Sequence, residues 1–90
     1  MIYMRGNRFD YDQWALLGNP GWSYEDVLPY FIKAERQADL HLAGDRLHHG
    51  TRGPLVVKTQ AMRTPLMHAF MKAGQFMGYE TGDPNGFVQS

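Results

Sequence analysis

Residues 17–31 read LGNPGWSYEDVLPYF, and the way this stretch resolves decides the architecture on either side of it. Gly18, Asn19, Pro20 and Gly21 form a dense turn signal: glycine and asparagine accept positive φ, while proline fixes its own φ and keeps its predecessor out of the helical region. The chain must bend sharply there. Ser23 is then placed as a helix N-cap, with Asp26 in the capping-box position and Glu25 adding negative charge to the first turn. Val27, Leu28, Phe31 and Ala34 fall at helical spacing and predict the buried face. Pro29 cannot donate to the carbonyl of Glu25, and its ring crowds that turn. The expectation is a short turn over residues 23–28, then a regular helix from Pro29, as its first residue, to about Gln37.

Working outward toward the N-terminus, Asp10 is the expected cap of a two-turn helix from Tyr11 to Leu17, with Trp14, Leu17 and Tyr11 sharing a face and Gly18 closing it. Residues 1–4 are apolar or aromatic and suit the end of a buried strand or extended segment. On the other side, residues 38–53, ADLHLAGDRLHHGTRG, are polar and glycine-dotted without a stable period, and read as a long surface loop. Leu55, Val56 and Val57 form a run short enough for one strand. Thr64 and Pro65 open the clearest helix of the chain, with a predicted buried stripe of Leu66, Phe70, Ala73 and Met77 and a stop at Gly78. The ending, TGDPNGFVQS, is turn-rich. The fold class expected is α+β, mostly helical with one or two short strands. One strand and one strand end make no stable sheet alone, so the chain reads as a segment of a larger protein.

Composition limits the functional classes. A free-standing domain of ninety residues buries only about 60 to 65% of the surface its unfolded chain exposes, and this chain has no cysteine with which to staple a thin core. Nine basic and nine acidic residues give zero formal net charge, which argues against a nucleic-acid partner. The N-terminus carries no apolar core long enough for a signal peptide. The longest nearly apolar run, Val27 to Ile32, falls far below the roughly 20 residues of a transmembrane segment. The residues give no ground for assigning a compartment.

The search for chemistry inside the chain is mostly negative. Gly-x-Gly-x-x-Gly, P-loop and Gly-x-Ser-x-Gly spacings are absent. His41, His48, His49 and His68 are possible metal ligands by type, but adjacent side chains diverge and His68 lies on a separate helix, so they read as ordinary polar positions. Among Asp10, Asp12, Glu25 and Asp26 an acid/base pair is conceivable, although helix capping already explains Asp10 and Asp26. Trp14, Trp22, Tyr24, Tyr30 and Phe31 read as packing groups before they read as a stacking platform, and the methionines as filler.

Several motifs, in order, resemble the glucose-methanol-choline (GMC) oxidoreductases. Tyr3, Arg5-Gly6, Asp10-Tyr11-Asp12, Trp14, Gly18-Asn19-Pro20-Gly21-Trp22 and Pro29-Tyr30-Phe31 are similar to the stretch that follows that family's Gly-Gly-Ser-Ser-x-x-Asn-Gly flavin signature. HHGTRGPLVV, residues 48–57, is similar to its His-Gly-Thr-Gly-Gly-Pro-Leu segment, with Arg52 where the family usually has glycine. GYETGDPNGFVQS is similar to its Gly-Tyr, Asp-x-Asn-Gly and Gln elements.

The resemblance implies an FAD-dependent enzyme that moves a hydride from the CH–OH carbon of a small-molecule alcohol to the flavin while a histidine removes the hydroxyl proton, since hydride leaves readily only as the alkoxide forms. Sugar, choline and simple alcohol oxidation all lie within it. It implies a parent protein of α/β, Rossmann-like FAD-binding fold with a separate substrate domain, in which the remainder of the parent chain is this segment's partner. The dinucleotide-binding glycines would lie upstream and the catalytic histidine far downstream, so no catalytic residue is expected here and His48 and His49 inherit no such role. The cofactor-binding residues implied are Ile2, through its backbone, with Met1 beside it; a buried strand position is the other reading of Ile2, and both can hold.

The same resemblance divides the chain into a flavin-lid segment at 1–12, in which Arg5 to Asp12 belong to the cover of the cofactor, a helical segment at 13–37, a loop at 38–53 and a strand-helix-loop segment at 54–90 whose final loop from Asp83 leads toward the substrate side. On this reading the chain alone is inactive. The competing class is a small interaction module docking through its aromatic helix face, which would need a complete strand set and a self-contained core.

Overall fold

A computed structural model describes residues 1–87; Gln89, the glutamine of the family-like ending, lies outside the described residues. Within them the order is α1 (Arg8–Leu16), α2 (Tyr24–Ala34), β1 (Glu35–Gln37), α3 (Leu40–Ala43), β2 (Leu55–Val57) and α4 (Pro65–Phe76). The mostly helical α+β class expected from the sequence is what forms.

Helix α1 begins three residues earlier than Asp10 suggested. Asn7 is its cap: the Phe9 N–H donates to the Asn7 side chain at 2.9 Å, and the Asn7 N–H donates back to the Asp10 carboxylate at 3.0 Å. Asp10 is therefore the third residue of a reciprocal capping box and not the cap itself. Gly18 follows the C-cap at φ +101, the left-handed turn that a side chain would strain.

Helix α2 starts where Ser23 predicted, with the Ser23 Oγ accepting from the Asp26 N–H at 3.3 Å. It does not break at Pro29. The helix runs unbroken from Tyr24 to Ala34 with the proline inside it. Pro29 and Glu25 both lie on the exposed side, so water can satisfy the carbonyl the proline leaves orphaned. On the opposite side Tyr24 and Val27 are buried and Phe31 half-buried. Asp12 adds a second tie, accepting from the Tyr24 N–H at 2.9 Å. The Tyr11 ring meets Phe31 edge-on at 5.6 Å and Trp14 at 5.3 Å, so the first two helices pack through these rings, while Leu17 stays exposed.

The helix expected to reach Gln37 instead ends at Ala34, and Glu35–Gln37 form β1, parallel to β2 with Glu35 opposite Leu55 and Gln37 opposite Val57. Nothing in Glu-Arg-Gln favours a strand; tertiary pairing overrides propensity here. The Gln37 N–H donates to the Gly50 carbonyl at 2.8 Å and the Gly53 N–H to the Glu35 carbonyl at 2.9 Å, beside an antiparallel bridge from Arg36 to Thr51. The segment expected to be a bare loop at 38–53 is thus partly ordered, by α3 and by this bridge. Gly50 and Gly53 make it possible: a Cβ on Gly50 would sit 1.9 Å from the Ile32 carbonyl oxygen, and one on Gly53 2.2 Å from the Ala34 carbonyl carbon. Arg52, between them, is exposed and has no positive φ, so that position does not demand glycine.

Two expectations about burial fail. Residues 1–4 are not in a strand, and Ile2 is 86% exposed. The α4 stripe is also uncovered: the helix forms, capped by Thr64 and closed before Gly78, but none of its residues is buried and Phe70 is 80% exposed. Met67 and Gly74 are the half-buried positions of α4 and neither belongs to the predicted stripe; a surface covering that stripe is not among the described residues. The radius of gyration is 15.2 Å, where a compact chain of this length has roughly 12 Å. The accessible surface is 7475 Å², against roughly 5,400 Å² for a compact monomer of this mass. Among the described residues the buried hydrophobic side chains are Tyr24, Val27 and Ala43.

Candidate functional site

The centre of the molecule is ionic. Arg5, on the irregular segment before α1, donates from Nη2 to Glu35 Oε2 at 3.0 Å, with no side-chain exposure on either partner. Its Nη1 donates to the His48 carbonyl, its Nε to the Tyr3 hydroxyl at 3.3 Å, and its backbone N–H to Asn85 Oδ1 at 3.0 Å. The Arg5 carbonyl accepts from the Tyr11 hydroxyl. The guanidinium lies 5.4 Å from the Phe31 ring centroid and 5.9 Å from that of Tyr3, within cation–π range. One arginine thereby joins the N-terminal segment to both helices, to β1, to the loop before β2 and to the final loop.

Glu35 and His49 complete the centre. Glu35, 0% exposed, also accepts from the Gly50 N–H at 2.9 Å and faces His49 Nδ1 at 2.9 Å. His49, 2% exposed, turns its Nε2 to the Asp83 carboxylate. Both ring nitrogens face carboxylate oxygens, which only accept, so the partners assign both nitrogens as donors and the ring as an imidazolium. Burial opposes that charge, but the hydrogen bonds and charges of Asp83 and Glu35 outweigh it and hold the His49 pKa above the ordinary histidine value. Arg5 and His49 balance Glu35 and Asp83, and the cluster is neutral as a whole. Nearby, burial first and the Asp10 charge second push the Tyr11 hydroxyl up, in keeping with its role as a donor.

This arrangement organises structure. While the ring carries both protons it has no lone pair with which to accept another. Among the described residues no group of three or more His, Cys, Asp or Glu is arranged to hold a metal ion. His48 pairs with Asp45 at 2.9 Å, while His41 and His68 are exposed. The four acids weighed for catalysis do not converge: Asp10 and Asp26 serve helix starts, Asp12 holds the Tyr24 N–H, and Glu25 faces outward.

Met1 and Ile2 stand exposed at the head of the segment that Arg5 anchors, followed by a half-buried Tyr3 and an exposed Met4. Beside them a cleft of about 950 Å³ runs between residues 4–7, the His41–Asp45 region and residues 78–87. Sequence reasoning recognised Arg5 and Asp83 only as parts of motifs, weighed His49 as a metal ligand and read it as an ordinary polar position, and passed over Glu35 altogether. The available signal was one acid and one base at the two ends of a glycine-dotted loop, too weak to read before the fold paired them.

Comparison with known proteins accords with this geometry. A family model described as GMC oxidoreductase matches residues 1–89, and the chain belongs to that family. It is 49% identical over 86 residues to a glucose dehydrogenase [FAD, quinone] of Drosophila pseudoobscura pseudoobscura, a match covering 96% of this chain and 14% of that protein. It is 44% identical over 90 residues to an oxygen-dependent choline dehydrogenase of Sinorhizobium fredii, covering 99% of this chain and 16% of that one. Among solved structures, an FAD-dependent oxidoreductase from Chaetomium thermophilum superposes with a TM-score of 0.75 at 36% identity, over 87% of this chain and 15% of that chain. The chain thus spans about one seventh of the length of the first of these relatives. No helix among the described residues is long and apolar enough to cross a membrane.

Proposed function

We propose that these residues form the flavin-proximal part of an FAD-dependent oxidoreductase that takes a hydride from the CH–OH group of an alcohol or sugar. The observation that carries the reading is the family match over residues 1–89 together with relatives named as FAD-dependent dehydrogenases. FAD, when bound, supplies the hydride acceptor. The chain's own contribution is to bind and orient. Ile2, through its backbone, with Met1 beside it, would hold the cofactor; the exposure of both residues leaves them open to a ligand, and Arg5 anchors the segment they head. The division into a flavin lid at 1–12, a helical segment at 13–37, a loop at 38–53 and a strand-helix-loop segment at 54–90 belongs to this reading.

The remainder of a longer GMC polypeptide, Rossmann-like with a separate substrate domain, is the proposed cover for the α4 stripe. Exposed Leu66, Phe70 and Met77 support that cover. The catalytic base and the substrate contacts belong to that remainder.

The test is to purify both the polypeptide encoded by the uninterrupted reading frame around these codons and residues 1–90 alone. The long form is expected to carry flavin and to oxidise a sugar or choline in a dye-coupled assay, and Ile2→Asp to weaken its flavin retention. A colourless, inactive long form sinks the proposal. A ninety-residue chain that stays yellow through gel filtration overturns the assignment of flavin binding to the longer chain.

A further inference from the structure

The ionic centre has one member that water reaches. Glu35 is sealed and has two partners besides His49, the Arg5 guanidinium and the Gly50 N–H. The Asp83 side chain is 20% exposed and begins the loop that returns to the N-terminal segment. Its other carboxylate oxygen accepts from the Asn85 N–H at 3.0 Å. Asn85 in turn holds the Arg5 N–H at 3.0 Å and reaches the Tyr3 carbonyl at 3.4 Å, and the Phe87 carbonyl accepts from Arg8 at 2.7 Å. The His49 Nε2 to Asp83 hydrogen bond thus joins the histidine of the buried centre to the loop that lies on residues 3–8, beside the Arg5 N–H to Asn85 bond that ties the same loop to the arginine.

We propose that His49 is a proton-dependent positioning residue, clamping loop 83–87 onto the N-terminal segment while its ring carries both protons and releasing that loop at Asp83 when one is lost.

The released partner follows from burial. A neutral ring has one proton for two carboxylates. Kept on Nδ1, the proton continues to satisfy Glu35, which has no access to water. The Nε2 lone pair then faces the Asp83 carboxylate, two acceptors in contact, and Asp83 can turn to solvent at modest cost. Giving the proton to Asp83 instead would set the Nδ1 lone pair against a carboxylate that, sealed from water, cannot turn away, the costlier choice.

The charges that face the ring are Glu35 from β1, Asp83 from the final loop and, through Glu35, Arg5 from the N-terminal segment; the adjacent Asp45 carboxylate is taken by His48. Two positive groups balance two negative ones, and loss of the His49 proton leaves the cluster with an uncompensated negative charge. Its pKa is raised on folding. The stabilisation is therefore fully present below the ordinary histidine value and is lost as pH rises through the higher, folded value. The loop loosens on the alkaline side. The clamp rests on the flavin-proximal reading only for its consequence: a freed loop would loosen the backing of Met1 and Ile2 and quicken flavin loss.

The test is hydrogen exchange of the 83–87 amides in the flavin-loaded long form, corrected for intrinsic rates, between about pH 6 and about pH 9 on either side of the histidine range. Protection in the unmodified protein is expected to fall, by up to roughly tenfold per pH unit, between the ordinary histidine pKa and the higher folded value, and to level off above it. In Asp83→Asn the amide can donate to a neutral Nε2, and protection is expected to be flat with pH. His49→Gln can serve only one carboxylate, so its loop is expected to be open throughout. A flat profile in the unmodified protein, or an unchanged slope in Asp83→Asn, overturns the clamp, and the latter variant decides if His49→Gln does not fold. Loop protection is read whether or not flavin is bound. A pH-dependent loop in a flavin-free protein would refute the proposed function and keep the clamp; a flavin-loaded protein with a flat loop would refute the clamp alone.

Discussion

The ionic centre and helix α4 reverse the usual relation between polarity and burial. Arg5, Glu35 and His49 are sealed from water, while Leu66, Phe70 and Met77 face it. A chain stabilised mainly by its own apolar core shows the opposite, because water-exposed apolar surface is the largest favourable term still available to folding. The difference separates two kinds of information. The ionic centre is complete: each charge has a partner, and the glycines around it admit no side chain. The α4 face is incomplete, ordered locally by a cap and a proline and awaiting a surface. Register within the segment is set by the first region; on the proposed function, the second is where the rest of the polypeptide attaches.

The sharpest way to break the comparison is to remove the carboxylate that both buried cations share. Glu35→Ala leaves Arg5 and His49 without their common partner, and the expected loss of stability is about 3 to 5 kcal/mol, read as a shift in the denaturation midpoint of the long form. A loss under about 1 kcal/mol, the range of exposed ion pairs, would mean that the centre is not as sealed as the structure shows.

A second contrast uses glycine. At Gly50 an added methyl group meets the Ile32 carbonyl at 1.9 Å, whereas at Gly74, inside α4, it meets nothing within 4 Å. Gly50→Ala is expected to cost about 3 kcal/mol by overpacking against backbone that cannot give way. In the isolated segment, Gly74→Ala is expected to raise α4 helicity, measured by circular dichroism, with a gain of up to about 1 kcal/mol from helix propensity. If the same change destabilises the long form, the covering surface reaches α4 at Gly74.

These two regions also differ in how much the sequence disclosed. Helix α4 was legible almost to the residue, because Thr64, Pro65 and Gly78 act locally and the apolar period needs no partner to be read. What could not be read was that its stripe lies open, since periodicity reports which face seeks cover and not whether the cover is present. The ionic centre was nearly invisible. Glu35 looked like the last turn of a helix, and only the close approach of Gly50 and Gly53 to the end of α2 turns residues 35–37 into a strand. Pro29 misled for the complementary reason: a local rule placed a break where packing on the far face of α2 keeps the helix whole. The motifs that resembled a known family held up because they encode these non-local constraints, which single-residue propensities do not.

The smallest effect compares two caps. Ser23 and Thr64 each accept a backbone N–H at 3.3 Å, from Asp26 and from Met67, so loss of either hydroxyl removes a cap worth about 1 kcal/mol; Ser23→Ala also removes an exposed donation to the Asp26 carboxylate at 2.7 Å. Their settings differ. The start of α2 is also held by Asp12 at the Tyr24 N–H and by the burial of Tyr24 and Val27, which makes that helix end part of the cooperative unit. Ser23→Ala should therefore lower the global midpoint, by somewhat less than the full amount because Asp12 still serves the first turn. In the isolated segment Thr64→Ala should leave the global midpoint unchanged and appear only as faster hydrogen exchange in the first turn of α4, the behaviour of a helix that opens on its own. In the long form the two should converge: once α4 is covered, fraying its start breaks tertiary contacts too, and Thr64→Ala should then cost as much as Ser23→Ala. Equal costs in both forms would show that α4 is already coupled to the ionic centre, and the division between a complete and an incomplete region would not stand.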